Sequence, residues 1–485
     1  MFQLSNRFLA VSIISLFPVT IFAADQFHSA LEPKLSRYSA KYFQSEQARA
    51  DLDQEFWQSL ADRQYFLGDP WNYRQALAEE GFAVTLTYVT NIAGNPVGGV
   101  SRGFTETDST GLSVAVDFEK LAGLEGLTGF VSTAYRQGTS LSLRRIHNTI
   151  SVQQVYGGQT FHLVNMYLRQ KFFDDQFMLK VGRIAQFDDF SHDFSFGYYM
   201  NNAFDGQPVG FFFQGPFTAY PVTTWGAIGK WGMPLDDHQG VYAFLGVYGA
   251  DSEIGNNEFK GADFSFSFNQ GANIMAEIGY KRNWGKEDRH TDGLSTKVGV
   301  GGWWFTGDFK VATLAPGSST TKSGIGGFYY LAHQGLYREN NKTEGGSRVE
   351  EDNAETYWGT SGGDVHNEQQ GLFVWTSGQF AGGSTSIMDV FVSGGTYYRG
   401  LIPGRNKDVL ALGYYHAFFS DQLADSQRAN GIPAQDHESA IELGYRYYVT
   451  DYFYVQPNIQ GIFNPGGAGL IDDALVLGAQ IEVDF

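Results

Sequence analysis

Alternation of apolar and polar residues with a period of two, an aromatic carboxyl terminus, and the lack of a long apolar helix beyond the first residues predict an all-β fold. The expected architecture is a transmembrane antiparallel β-barrel of about 16 strands with a short N-terminal helical segment. The last eleven residues carry the pattern most clearly: Leu475, Leu477, Ala479, Ile481, Val483 and Phe485 fall on one face of a strand, and Val476, Gly478, Gln480, Glu482 and Asp484 on the other. No later stretch of ~20 uncharged apolar residues could cross a bilayer as a helix.

Residues 1–24 combine Arg7, an apolar run and small residues at the end, the layout of a secretory signal peptide. Residues 25–80 are read as a periplasmic helical segment, because Leu35, Tyr38, Tyr42, Leu52, Phe56 and Leu60 recur near helical spacing between Pro33 and Arg63. Residues 81–485 form the barrel. Ile441, Leu443, Tyr445, Tyr447 and Val449 oppose Glu442, Gly444, Arg446 and Tyr448; Leu112, Val114 and Val116 oppose Ser113 and Asp117; Ile274, Ala276, Ile278 and Tyr280 oppose Glu277 and Lys281. Charges occupy one side only, as expected where the other side meets hydrocarbon and an ionised group there is costly. The strands are expected to begin near Phe82, Leu112, Leu127, His162, Gln176, Thr224, Gln239, Asn273, Thr296, Ser323, Gln370, Met388, Asp408, His437, Phe453 and Asp473. Short polar turns at 173–176 and 234–238 alternate with long connections at 136–160, 184–221 and 249–272, as in a barrel whose two ends face the periplasm. The stretch 335–369, rich in Gly, Asn, Glu and Thr, breaks this rhythm and is read as an insert or a missed pair of strands.

Composition excludes several function classes. The chain has no Cys in 485 residues, so disulfides, thiolate nucleophiles and Cys-bearing metal sites are ruled out. Removal of Arg7 with the signal segment takes the basic residues from 33 to 32 against 52 acidic ones, a balance of −20 that argues against a nucleic-acid partner. Aromatic residues make up 16% of the chain and Gly contributes 60 positions, a composition suited to a wall of strands and turns.

Three stretches resemble the carbohydrate-selective porin family, the OprB-like proteins of Gram-negative outer membranes. Residues 67–99, LGDPWNYRQALAEEGFAVTLTYVTNIAGNPVGG, resemble the family's short helix and first strand, although Trp71, Asn72, Tyr73 and Arg74 stand where the family usually has Trp-Gly-Gly-x-Arg. Residues 397–420 resemble its Gly-x-x-Pro-Gly-Arg-x-x-Asp turn, and residues 442–467 its Gln-Pro-x-x-Gln and Asn-Pro-Gly-Gly block. The terminal Phe485 is similar to the final aromatic that outer-membrane barrels generally carry. The resemblance covers 67–485 apart from 335–369. It implies an outer-membrane location, passive diffusion of glucose and related sugars, no cofactor, and association with lipid as a monomer or a homo-trimer.

A wall that passes sugars needs aromatic faces for their apolar surface and polar groups that exchange hydrogen bonds with hydroxyls as water is shed. The connection 184–221 supplies both, with Phe187, Asp188, Asp189, Phe190, His192, Asp193 and Phe194. In porins a loop at this position commonly folds into the lumen, so the constriction is expected here. Facing it, alternation selects Asp117, Arg169, Glu277, Glu442 and Arg446 as pore-lining groups, each of which could equally brace the wall as a structural ion pair. Alternation points Arg183 at lipid; the energetic penalty there favours a bulge or a rim position, and the lumen is the expected side. The competing readings are a general, weakly ion-selective porin and, outside transport, a barrel hydrolase. Asp188, Asp189, His192 and Asp193 lie in one loop, whereas such chemistry requires groups converging across the barrel mouth, and the strand histidines His333 and His416 lack a neighbouring Ser on the same face. No catalytic residue and no metal ligand set is assigned, an acidic loop in solvent accounting for the same residues as well as a Ca²⁺ site does.

Overall fold

A chain that crosses hydrocarbon must satisfy its backbone N–H and C=O groups internally, and a period-two sequence does so by closing a sheet on itself. The computed structural model describes residues 63–69, 72–204, 206–236, 238–250, 260–262, 264, 268, 270–284, 293–310, 321–339 and 369–485. The strands are β1 Phe82–Val97, β2 Gly103–Asp117, β3 Leu127–Gly138, β4 Phe161–Phe172, β5 Phe177–Ile184, β6 Thr224–Asp236, β7 Gln239–Gly249 and β8 Ala272–Arg282. They continue as β9 Thr296–Lys310, β10 Thr321–Arg338, β11 Gly371–Ala381, β12 Met388–Arg399, β13 Val409–Phe419, β14 His437–Thr450, β15 Phe453–Phe463 and β16 Ala474–Asp484. Every strand pairs antiparallel with its sequence neighbours, and β1 pairs with β16, so the 16-stranded barrel is closed and has no free edge.

The two faces divide as the alternation predicts. Outward residues such as Leu168, Leu245 and Ile278 are more than half exposed, at 52%, 58% and 60%, whereas the inward Lys180, Lys230 and Gln456 are at most 1% exposed. This inverts a water-soluble protein: the apolar side chains form the outer surface, and the ionisable ones fill the interior. At the end that carries both termini of the barrel, Phe172, Phe173, Phe177 and Trp231 adjoin one another as a short aromatic collar. β2 begins at Gly103 rather than near Leu112. Its first half, from Thr105 to Thr110, is polar on both faces and so shows no alternation, yet it is laddered to β1 from Asn95↔Gly103 onwards.

Two helices and the chain end shape the turn side. Helix α1, Tyr73–Glu79, starts where the Asp69 carboxylate accepts the N–H groups of Arg74 and Gln75 at 2.9 and 3.2 Å. Arg74 then reaches across the barrel seam, donating to the Val84 carbonyl at 3.0 Å and to the carbonyl of Phe485. Helix α2, Phe118–Ala122, fills the β2–β3 turn, and Asp117 caps it by accepting from Glu119 and Lys120. This corrects the expectation for Asp117: it sits at the last residue of β2 as a helix cap, not along the pore wall. β10 runs to Arg338 and pairs there with Gly371 of β11, so no extra strand pair separates the two strands; the rest of the expected insert, 340–368, lies outside the described residues. The expected signal segment and nearly all of the 33–63 helix lie outside them too.

Candidate functional site

The β5–β6 connection, residues 185–223, contains too many aromatic rings to lie in water. It folds into the barrel instead. Phe187, Phe211 and Phe217 stack together with centroids 4.4 to 5.4 Å apart and press on Trp303 of β9, while Phe211 also meets Tyr329 of β10. Farther along, Phe194 packs on His333 of β10 and Tyr397 of β12, and Phe196 and Tyr199 pack on Trp375 of β11. Gly210 lets the backbone come down onto the Phe391 ring of β12, where any Cβ would collide with that side chain.

Polar contacts tie the same connection to the wall at successive points. Asp189 takes two ammonium groups, Lys180 of β5 at 2.6 Å and Lys230 of β6 at 2.5 Å, with all three side chains buried. Burial alone would raise the Asp189 carboxyl, but the two lysines hold it below the ordinary range. Its neighbour Asp188 accepts from Asn165 of β4 at 2.9 Å and is pushed up to about 6 by burial, with Lys180 opposing the shift. Ser191 donates its N–H to Glu277 of β8, and Met200 and Asn201 donate theirs to Glu442 of β14. Asp193 accepts from His333 at 2.9 Å, whose other ring nitrogen meets the Tyr397 hydroxyl at 3.1 Å. Lys297 of β9 donates to the His192 carbonyl at 2.6 Å. Arg446 of β14 donates to Gln456 at 2.7 Å and lies over the Tyr454 ring at 4.1 Å, and Arg169 of β4 donates to Thr128 at 2.9 Å.

The structure therefore brings Asp188, Asp189, His192 and Asp193 together with Glu277, Glu442 and Arg446 inside one wall, and Arg169 is inward-facing on β4. Several expectations change in detail. Phe187, Phe190 and Phe194 are 2%, 0% and 8% exposed, so their faces are consumed in packing the connection against the wall. The accessible aromatic surface in this stretch belongs to Phe212 and Tyr220, 37% and 38% exposed, and Phe212 meets Phe187 edge-on at 5.8 Å. Arg183 does not face the lumen. β5 pairs without a bulge with both neighbours from Phe177 to Arg183, so Arg183 keeps its outward parity and is buried at the loop-side rim, donating to the carbonyls of Gly261 and Thr223. An adjoining loop shelters this charge from lipid, which a strand bulge would otherwise have had to do.

Sequence reading missed Lys180, Lys230, His333 and Tyr397 as partners of the connection, and Glu438 of β14 as a partner of the β3–β4 connection, residues 139–160. Alternation assigns all five to the inward face, yet it carries no information on which loop residue each will meet. The Asp193–His333–Tyr397 chain has the look of a catalytic relay, but its members are 1%, 1% and 2% exposed and hold the loop to the wall.

Comparison with known proteins agrees with this geometry. The family model "Carbohydrate-selective porin, OprB family" matches residues 101–485. Porin B of Pseudomonas aeruginosa is 29% identical over 457 residues, 87% of this chain and 91% of that protein. Among solved structures, the high-pH structure of OprB from Pseudomonas putida superposes with a TM-score of 0.74 at 24% identity, covering 88% of this chain and 99% of that one, a likeness of fold.

Proposed function

This chain belongs to the OprB family of carbohydrate-selective porins of the Gram-negative outer membrane, and on that premise we propose that its infolded β5–β6 connection is the constriction through which glucose and related neutral sugars diffuse. The family and the barrel make it a channel rather than an enzyme; that it carries no hydrolytic activity belongs to the same proposal. The observation that carries the reading is the path of residues 185–223, anchored inside the wall from β4 to β14 rather than draped over the rim. A solute passing there meets the accessible ring of Phe212 and the partly exposed Asp188 and His192. The ring covers the apolar C–H face of a sugar, and the polar groups exchange hydrogen bonds with its hydroxyls. No cofactor takes part: transport follows the gradient, and selectivity comes from what the narrow passage can replace of the solute's hydration.

The test is single-channel recording with purified protein in a planar bilayer. Glucose or a maltooligosaccharide added to the bath should partially block the ion current, and Phe212→Ala should weaken that block several-fold, by the loss of ~1 kcal/mol of contact. A current indifferent to sugar would instead assign a general, weakly ion-selective porin. Turnover of peptide or phospholipid by the same preparation, abolished in His192→Ala, would overturn the channel-only reading.

A further inference from the structure

Three buried glutamates on the inward wall each accept backbone N–H groups from a connection folded against them, two from adjacent residues at Glu438 and Glu442 and one at Glu277. Glu277 of β8, Glu438 and Glu442 of β14 are 2%, 0% and 1% exposed. Glu442 accepts the Met200 N–H on Oε1 at 2.7 Å and the Asn201 N–H on Oε2 at 2.8 Å, and Asn458 also donates to Oε1. Glu438 accepts the Thr149 N–H on Oε2 at 2.7 Å and the Ile150 N–H on Oε1 at 3.0 Å; these residues belong to the β3–β4 connection, 139–160. Gly466, in the β15–β16 connection, donates a third N–H to Oε2 of Glu438 at 2.7 Å. Glu277 accepts the Ser191 N–H at 2.8 Å and the hydroxyls of Tyr242 and Tyr329 at 3.0 and 2.7 Å.

Burying a carboxylate costs several kcal/mol, about what a full set of charge-assisted hydrogen bonds returns. Here each set includes backbone N–H groups of chain segments with little regular structure of their own. Left in a wet lumen, those segments would exchange the same N–H groups with water and move. A carboxylate has two acceptor oxygens and no donor, so it can grip adjacent N–H groups at once; a carboxamide in the same place would turn an NH₂ against one of them.

We propose that Glu277, Glu438 and Glu442 are positioning residues that set the size limit of the channel by clamping the backbones of the β3–β4 and β5–β6 connections from the wall, without touching the permeating solute. This rests on the reading of the infolded connection as the constriction, and the variants separate the two. In Glu442→Gln and Glu438→Gln the released segments should widen the passage: single-channel conductance in KCl rises about twofold with added flicker, and liposome swelling by sucrose gains on swelling by glucose. Glu442→Asp, which keeps both oxygens, should lie between Gln and the unchanged chain. Heat-modifiable migration on gels verifies that each barrel has closed. If a variant fails to close, the Gln variant of another of the three glutamates carries the same readings.

A closed-barrel Glu442→Gln with unchanged conductance and unchanged sugar ratio overturns the clamp, as does weakened sugar block at unchanged conductance, which would make Glu442 a solute contact. Raised conductance with sugar block absent even in the unchanged chain would uphold the clamp and sink the sugar constriction instead.

Discussion

Asp188 and Asp189 are neighbours in the chain with opposite electrostatic fates. Asp189 is flanked by two ammonium groups and stays ionised, whereas Asp188 is pushed up to about 6 by burial, with Asp189 adding to the rise and Lys180, Lys230 and Asn165 opposing it. The groups around Asp188 are thus Asn165 on β4, Lys180 on β5, Lys230 on β6 and Tyr248 on β7, besides Asp189 and Tyr220 of the connection itself. A carboxyl raised above its unfolded value binds a proton more readily when folded, so folding gains as pH falls through about 6, and above that value the ionised group is a penalty. The lumen also loses one negative charge across the same interval. Reversal potentials measured in a KCl gradient should therefore shift toward anions between pH 7.5 and pH 5, and Asp188→Asn should show the low-pH value throughout. A selectivity step retained in that variant would assign the titration to another group.

At the scale of the element, each strand is a ledger of two environments. Leu443 is 43% exposed on the outer face of β14, between Glu442 and Gly444 of the inner face. Placing Arg at Leu443 should destabilise the barrel by ~2–4 kcal/mol at mid-membrane depth, read as a lower urea midpoint in lipid vesicles. The same change at Leu470, 71% exposed in the β15–β16 connection, should leave the midpoint in place. Alternation also explains which strand was hard to read. The first half of β2 has polar residues on both faces and is held by its ladder with β1, so its existence depends on a neighbour that its own residues do not announce. Arg183 is the complementary case: its parity was readable, whereas the shelter that lets it keep that parity comes from Gly261, 78 positions away.

At the scale of the whole molecule, closure is the decisive event, because β1 must find β16 across nearly the full length of the chain. The seam is reinforced where the ends meet. Phe485 donates its N–H to the Leu86 carbonyl at 2.8 Å, its ring meets Phe66 edge-on at 5.5 Å, and Arg74 bonds its carbonyl while stacking on Tyr65 at 4.0 Å. Arg74→Ala should leave the barrel able to close but lower its stability by about 1–2 kcal/mol, visible as an earlier urea midpoint by tryptophan fluorescence. An unchanged midpoint would show that the seam holds without the helix. The Trp71-Asn72-Tyr73-Arg74 departure from the family's usual pattern thus leaves the docking arginine in use.

The wall was legible in the residues themselves because a period of two is a local property, and its partner on one side is uniform hydrocarbon, which demands the same thing of Leu245, Ile278 and Leu443 wherever they fall in the chain. The same logic put Glu277, Glu442 and Arg446 inward. The path of the infolded connection was legible only in outline, from its aromatic content. It has no repeat to follow, and its partners are set by distance in space: Met200 meets Glu442 from 242 positions away, and in the β3–β4 connection Thr149 meets Glu438 from 289. For that reason the partners of Asp189 and Asp193, the burial of Phe187, Phe190 and Phe194, and the exposure of Phe212 emerge only once the barrel has closed around the loop.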